Sequence, residues 1–492
     1  MAKSTAIKIA RSQFRGLENW LYSDRTRNLG LQSIEVGEET RGRELLRSLL
    51  QAHINGRGPG DVGPAILIFQ ANHGEQRRLY RQKGLRRRSI LTIFGKVSVE
   101  RVRYASRRGA CIHPLDQQFQ LPARCYSYEL QGRLTKRAIQ GPFDEAIEAV
   151  EEATGVKLPK KSAESIVIDA CVDFESFYEL RKGKSPEGSG SVLVGSIDCK
   201  GIPMVKTESA LKTVRRGKGQ KSNKKKMATV AAVFTQRPRP RTPEDVVKSL
   251  FDPSEEKPRK KRKSTNDPER KRVWASLLSG KDAFIQDVKK EMDRRDPSHE
   301  KTRVVVTDGE RALQRLVCKT MKNVLYVLDF LHVLEKLWAV AYVFHPEGSQ
   351  QAKDFVRERA LRILQGNVGQ VVKGLRQIVT KRKLKGRKRD TIMSVTAYYY
   401  RNRLRMRYHK YLAAGLPIAS GSVEGACKNL IKDRMERSGM RWSLEMAEAM
   451  VKMRAIYLSN DFTEYWDYHV NQEQRRLYSD KRWRALKHVV SK

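Results

Sequence analysis

"VVVTDGERAL", residues 304–313, decides the fold. Three consecutive valines and a threonine make an apolar, β-branched run, the pattern of a strand buried on both faces. Asp308 and Gly309 end it, and a helical pattern then runs to about Lys319. Strand, turn and helix together are a piece of an α/β layer. Asp308 itself has two readings. It is a turn or helix-capping residue, or it is a ligand for a cation that offsets the cost of a charge at a core edge.

The same pattern recurs on both sides. In "SVLVGSIDCKGIPMVK", 191–206, an apolar strand runs into Asp198, a turn is expected at Cys-Lys-Gly, and "IPMVK" starts a second strand. "MATVAAVFTQ", 227–236, reads as a third strand, and 273–294 as a helix. After the opening stretch, "NVLYVLDF", 323–330, is another buried strand, and it passes into the helix "LHVLEKLWAVAYVF". Residues 347–413 are basic, helical in pattern and without strand signals. "GLP" at 415–417 breaks that run, and "SGSVEGACKNLIKDRMERSG" begins a new helix. This order predicts a mixed α/β sheet with a late helical insertion.

The region before it is different. Residues 39–54 have helical spacing, "INGRGPGDVGP" is a loop, and 88–104 alternate as a hairpin turning near Gly95 and Lys96. The arginines of that hairpin either face phosphates or form a solvated strand face. Residues 143–170 predict two short helices joined at Gly155. Ile147, Val150 and Ala153 lie on the apolar face of the first; Ala163, Ile166, Val167 and Ala170 line the second. A DNA-reading helix-turn-helix has this spacing, and so does any helical hairpin. The expected organisation is an N-terminal helix and basic hairpin region (1–135), a helix-turn-helix-like region (136–185) and the first part of the α/β domain (186–344). A helical insertion (345–418), the completion of that domain (419–470) and a basic tail (471–492) follow.

Composition points to a polyanion. Lys and Arg number 99 against 55 Asp and Glu, a formal net charge of +44. Nucleic acid is the natural partner for such an excess. Two stretches concentrate it: "KTVRRGKGQKSNKKK" (212–226), with eight basic residues and no acid, and "KPRKKRKSTNDPERKR" (257–272), with nine basic and two acidic. No apolar run approaches the roughly 18 residues of a spanning helix, and the start lacks the apolar core of a signal peptide. A cytoplasmic protein on DNA or RNA, with no membrane partner, is expected. The six cysteines are scattered, without a CxxC pair. Cys111 and His113 make half a zinc site whose other half is missing.

Three carboxylates stand out: Asp198, Asp308 and Glu424, the last in the first turn of a late helix. Each has a bland reading: a hairpin-turn aspartate, a helix cap, and a glutamate at the positive end of a helix. Together, in a chain this basic, they suit two Mg²⁺ ions, because hard cations take oxygen donors and leave room for phosphate oxygens. Two such ions clamp the attacking and leaving oxygens of a phosphodiester.

"VGSIDCKG", "VVVTDGERAL", "LDFLHVLEKLW" and "ASGSVEGACKNLIKDRMERSGMRWS" resemble the catalytic blocks of bacterial insertion-sequence transposases of the ISKra group, among the Mutator-like DDE transposases. The likeness covers about residues 80–470. It implies an RNase H-like catalytic domain interrupted by a helical insertion, with Asp198, Asp308 and Glu424 as ligands of two Mg²⁺ ions, Mn²⁺ serving as a substitute. It also implies cleavage and strand transfer on DNA, with element ends and target as substrates and a homodimer or higher oligomer pairing the ends. Asp329-x-x-His332 resembles a signature of these superfamilies, which makes His332 a phosphate contact or a positioning group; a capping Asp and a packed His are the alternative. Relatives often carry a Cys-x-x-Cys pair where "SRRGACIHPLD" has only Cys111.

Lys428 and Lys432, one and two turns after Glu424, are candidate DNA contacts or partners of that glutamate. Arg441 and Trp442 follow, Trp442 either stacking on a base or in the core; Trp338 reads as core. The reading is a DNA transposase. A nuclease that cuts without joining, and a silent DNA-binding derivative, are the alternatives.

Overall fold

The computed structural model describes residues 2–70, 76–107, 111–181, 190–205, 225–252, 268–478 and 482–486, with side chains described there except at 2–6, 68–70, 76–78, 422–424, 438 and 482–486. The 182–189 linker and most of both basic stretches lie outside these residues. The chain forms two compact units, 1–173 with 462–492, and 174–461. This division cuts through the expected 136–185 region and gives the helix Phe462–Tyr478 to the first unit.

In the first unit, the helices Ala2–Leu21 and Leu31–Gly56 pack as an antiparallel pair. An antiparallel sheet follows: β1 (Ala65–Gln70), β2 (Gln76–Thr92) and β3 (Gly95–Ala105), in the order β3-β2-β1, with the strand Arg482–Leu486 on the far edge of β1. The hairpin expected at 88–104 is therefore present, and β2 extends well before it. Arg88 and Arg101 both pair with the buried Asp116, while Arg81, Lys83, Arg86 and Arg87 are exposed. The two short helices are Phe143–Thr154 and Lys160–Ala170. Gly155 ends the first in the left-handed conformation (φ 68°), where glycine carries no Cβ penalty. The anticipated apolar residues are buried, apart from Ala153, which is exposed. Asp173 fastens the C-terminal helix, bonded to His469 Nδ1 (2.7 Å) and Arg476.

The second unit is built on a five-stranded mixed sheet: β4 (Val192–Pro203), β5 (Lys225–Gln236), β6 (Glu269–Ser276), β7 (Thr302–Thr307) and β8 (Leu325–Leu328). The order is β6-β5-β4-β7-β8; the first three run antiparallel, and β7 and β8 run parallel to β4. Three strands were expected before the helix, and two of them, β4 and β5, are present where expected; the second is not. β4 does not turn at Cys-Lys-Gly: it pairs with β5 without a break from Val192 to Pro203, so "IPMVK" starts no second strand. The third antiparallel strand of the sheet is β6, whose Val273–Ser276 are buried and which had been assigned to a helix. Its basic first half hid the strand. The helix begins only at Lys281.

Helices cover both faces of this sheet. Gly195 lies against Val288 and Met292 of the helix Lys281–Arg295; a Cβ there would meet Met292 Sδ at 3.0 Å. On the other face, Val192, Val194, Val304 and Val306 share one apolar core with the helices Phe330–Ala341, Gln350–Leu364, Val368–Lys381 and Gly386–Asn402. Burying each such valine stabilises the fold by roughly 1.5–3 kcal/mol. Polar bonds tie the all-helical segment down: Tyr408 Oη donates to Leu328 O of β8 (2.8 Å), and Tyr399 Oη to Val333 O of the helix Phe330–Ala341 (2.7 Å).

Candidate functional site

The parallel pairing of β4 and β7 ends at Ile197 opposite Thr307. The next residue on each strand is an aspartate. Asp198 and Asp308 thus occupy adjacent positions just past the end of the parallel ladder: Ile197 and Thr307 are fully buried, the two aspartates half-buried. Asp198 is not a turn residue, since its backbone stays in register with Val230. Burial raises the pKa of Asp308. The Glu310 N–H opposes that rise, and the charge of Asp198 adds to it.

Asp308 also makes a turn. Its Oδ1 accepts from Glu310 N (2.9 Å), and the helix Arg311–Thr320 is capped by Glu310, not by Asp308. Gly309 holds φ at 86°, and a Cβ there would meet Tyr398 Oη at 2.7 Å and Leu328 Cδ1 at 2.8 Å. Tyr398, from the helical segment, donates to the Asp308 carbonyl (2.5 Å). The backbone under the carboxylate is therefore fixed from both sides. Lys281, at the start of its helix, pairs with Glu310 (2.7 Å) and adds a cation beside Asp308.

Asp329 is fully buried at the end of β8. Its Oδ1 accepts from Leu331 N (3.0 Å) and Ser420 N (3.1 Å); its Oδ2 meets His332 Nδ1 (2.7 Å) and Ser420 Oγ (2.5 Å). It is a helix cap and a positioning group at once. The bond to Asp329 raises the His332 pKa to about 9 against the opposing effect of burial, with help from the charges of Asp329, Glu335 and Asp308. His332 is thus an imidazolium at neutral pH. Ser420 directly precedes the helix Gly421–Ala426, which carries Glu424.

That helix packs on β4 and β5 and continues as a π-helical segment, Cys427–Lys432. Cys427 is buried and donates its thiol to Asp198 Oδ2 (3.3 Å). Glu424 lies one turn before Cys427; its side chain is outside the described ones. The wide π turns alter the phase along which Lys428 and Lys432 were expected to follow Glu424, and such segments recur at functional sites. Both lysines and Arg441 are exposed.

Trp442 corrects an expectation. It is 5% exposed, its indole N–H donates to Met435 O (2.9 Å), and Arg434 stacks on its ring. Its backbone bonds Pro203 and Val205 at the end of β4. It is a core residue and presents no face to a base. Trp338 packs beside Phe251 in the core, as expected.

A divalent cation fits the donors present. The first two carboxylates are neighbours, the charge of Asp198 raising the pKa of Asp308, and their oxygens suit a hard ion. Among the described residues, no three His, Cys, Asp or Glu side chains form a metal-binding group. Cys111 lies within reach of Arg103 Nε (3.0 Å), and His113 bonds Val102 O with its pKa lowered to about 4 by burial. No zinc set surrounds them among the described residues.

Sequence reading missed Lys281 and Tyr398, which reach the site from distant elements, and the bonds that Ser420 and Cys427, both inside the block around Glu424, make to Asp329 and Asp198. The helix pair 143–170 holds seven acidic and three basic residues, a poor phosphate grip, whereas the exposed cations of β2 suit one. No helix of the described residues is long and apolar enough to cross a membrane. No family model and no curated protein matches the chain.

Proposed function

We propose that this chain is a DNA transposase whose second unit cleaves and joins DNA by metal-dependent phosphoryl transfer. One observation carries the reading: Asp198 and Asp308 each directly follow the last pair of the parallel β4–β7 ladder, and the helix bearing Glu424 is fastened to Asp198 through Cys427. The strand order, three antiparallel and two parallel with the first strand central, supports an RNase H-like catalytic domain. The helices within 345–418, from Gln350 to Ala413, are then the insertion before the last acidic residue.

Asp198, Asp308 and Glu424 would hold two Mg²⁺ ions, with Mn²⁺ as a substitute, in agreement with the oxygen donors present. When bound, the ions would activate water and neutralise charge developing on the phosphate. Tyr398 and Gly309 keep the Asp308 backbone fixed while DNA binds and leaves. Asp329 holds His332 charged next to the carboxylates, where an imidazolium attracts a phosphate oxygen. Lys428, Lys432, Arg441 and the exposed cations of β2 would grip the DNA backbone. In cleavage, water adds to phosphorus and the 3′ oxygen leaves, taking a proton; in joining, that 3′-OH attacks a target phosphodiester, gives up its proton, and the target strand's own 3′ oxygen leaves as a hydroxyl.

The test uses a plasmid carrying the DNA that flanks the gene, incubated with the full chain and Mg²⁺. Nicks at the element boundary and joined products on a second plasmid are expected, and Asp308→Asn should abolish both while DNA binding persists. Cleavage without joining supports a nuclease instead. Unchanged cleavage by Asp308→Asn overturns the triad.

A further inference from the structure

We infer that Lys336, Arg401 and Arg405 form a phosphate subsite beside Asp308 that takes the phosphodiesters next to the one being cleaved, an assignment that rests on the phosphoryl-transfer reading. Two tyrosines build it. Tyr398 donates to the Asp308 carbonyl (2.5 Å), and the hydroxyl of Tyr326 bonds that of Thr307, the last residue of β7. Both rings are partly buried, and both hold cations. Lys336 Nζ lies 4.5 Å from the centre of the Tyr398 ring, and the Arg401 guanidinium 5.6 Å from the same centre. The Arg405 guanidinium lies 4.8 Å from the centre of Tyr326.

The three cations come from separate elements. Lys336 belongs to the helix Phe330–Ala341, Arg401 to the end of Gly386–Asn402, and Arg405 to the short turn Arg403–Arg405 that follows. The tyrosine rings bring them together at the residues that end β7.

Charge selects the occupant. A ring attracts a cation but does not neutralise it. Among the described residues, none of the three cations forms an ion pair. Arg405 reaches neutral acceptors, Gln314 Oε1 (3.4 Å) and Cys318 Sγ (3.8 Å). The buried Arg303, by contrast, has Asp293 (2.6 Å) and Asp296 (2.8 Å). The acids on the same helices serve other groups. Glu335 acts on His332, and Asp390 stands at the far end of its helix beside Arg389 (3.5 Å). His332 lies one turn before Lys336, so two like charges share one face, an arrangement that weakens a bare helix. An anion seated there reverses that effect. One small anion would need one cation. A row of cations along one side of a carboxylate site matches the successive phosphates of a strand, and a guanidinium can take two phosphate oxygens at once.

The test measures DNA affinity by fluorescence anisotropy, with the full chain carrying Asp308→Asn in Mg²⁺ so that bound DNA stays intact. The probes are duplexes of the flanking DNA in which one linkage at a time is a neutral methylphosphonate. The wild type, assayed separately, locates the cut. Neutralising a linkage next to the cut is expected to weaken binding about tenfold. In Lys336→Met, which keeps the hydrocarbon stem on the ring, the same linkage should cost about twofold or less, because the charge it met is gone. Lys336→Arg should restore the tenfold penalty. Arg401→Met should abolish the penalty at a neighbouring linkage. Lys388→Met removes an exposed cation about 20 Å along the same helix as Arg401 and should leave every penalty in place. Penalties undiminished at all linkages in both Lys336→Met and Arg401→Met overturn the subsite, as does coupling confined to linkages more than about ten base pairs from the cut. A wild type that cuts nowhere, with the coupling present, sinks the phosphoryl-transfer reading and leaves the phosphate contact standing.

Discussion

The Cys427 thiol donates to Asp198 Oδ2 at 3.3 Å, which ties a helix late in the chain to the middle of a strand 229 residues earlier. The contact fixes one oxygen of Asp198, and the Cys199 N–H fixes the other at 2.7 Å. Asp308, one strand away, feels the resulting charge as a raised pKa, after burial the chief raising influence. A site with this repulsion stands to gain from a cation.

The first prediction concerns that gain. Mg²⁺ or Mn²⁺ at about a hundred times its dissociation constant stabilises by about 2.7 kcal/mol. Thermal unfolding of the wild type should therefore shift upward with either ion. Asp308→Asn should unfold at a higher temperature than wild type without metal, because one of two repelling charges is gone, and should respond weakly when metal is added. An equal metal response in both proteins would remove Asp308 from the ligand set.

Legibility tracked burial. β7 and β8 were readable because uninterrupted apolar runs have few other uses, and the all-helical stretch after them was readable from its period. β4 was cut short in the reading because Asp-Cys-Lys-Gly has the chemistry of a turn; pairing with β5 through Pro203 overrides that preference. β6 was lost because its first half is Glu-Arg-Lys-Arg, and its buried half reads equally well as the start of a helix. At the site, Asp198 and Asp308 were visible as aspartates in apolar strands. Tyr398 was invisible because it acts only across a tertiary contact; Ser420 and Cys427 stood in the block around Glu424, but their partners Asp329 and Asp198 could not be read from it.

Gly309 should tolerate no side chain. At φ 86° an alanine costs about 1–3 kcal/mol in backbone strain. Its Cβ would also press on Tyr398 Oη and Leu328 Cδ1. Denaturant unfolding of Gly309→Ala should show a loss of that size or more. Adding Tyr398→Phe should return only part of it, since the dihedral strain stays.

Trp442 should behave as core. Trp442→Ala is expected to cost about 3–5 kcal/mol, with Trp442→Phe much milder apart from the lost bond to Met435 O. DNA affinity of the folded fraction should not change in either. A large affinity loss in a fully folded Trp442→Phe would return the residue to the DNA interface.

His332 supplies a pH signature. Its pKa stands near 9, above the ordinary 6.5, owing first to the bond from Asp329. A raised folded-state value stabilises below the ordinary pKa, and that stabilisation is lost as pH rises through about 9. The gap in melting temperature between wild type and His332→Ala should therefore be widest at pH 6 and narrow toward pH 10. A gap that is constant across this range would show that His332 contributes packing alone.

Glu291 gives the opposite sign. It is buried, and burial pushes its pKa up, but Arg272, Arg295 and Arg294 outweigh that and hold it at about 2. Arg272 reaches it at 2.5 Å from β6 and Arg295 at 2.7 Å from its own helix, so the carboxylate clamps the edge strand to the helix that covers the sheet. A depressed folded-state value stabilises above the ordinary 4.5, and this is lost as pH falls toward 2. Urea midpoints should decline over that window in the wild type. Glu291→Ala leaves three guanidinium groups around a buried gap, and a loss of about 3–5 kcal/mol is expected at pH 7. The variant should lose much less than the wild type between pH 4.5 and pH 2, since the group that titrates there is gone. Parallel declines in the two proteins would assign acid sensitivity to other carboxylates.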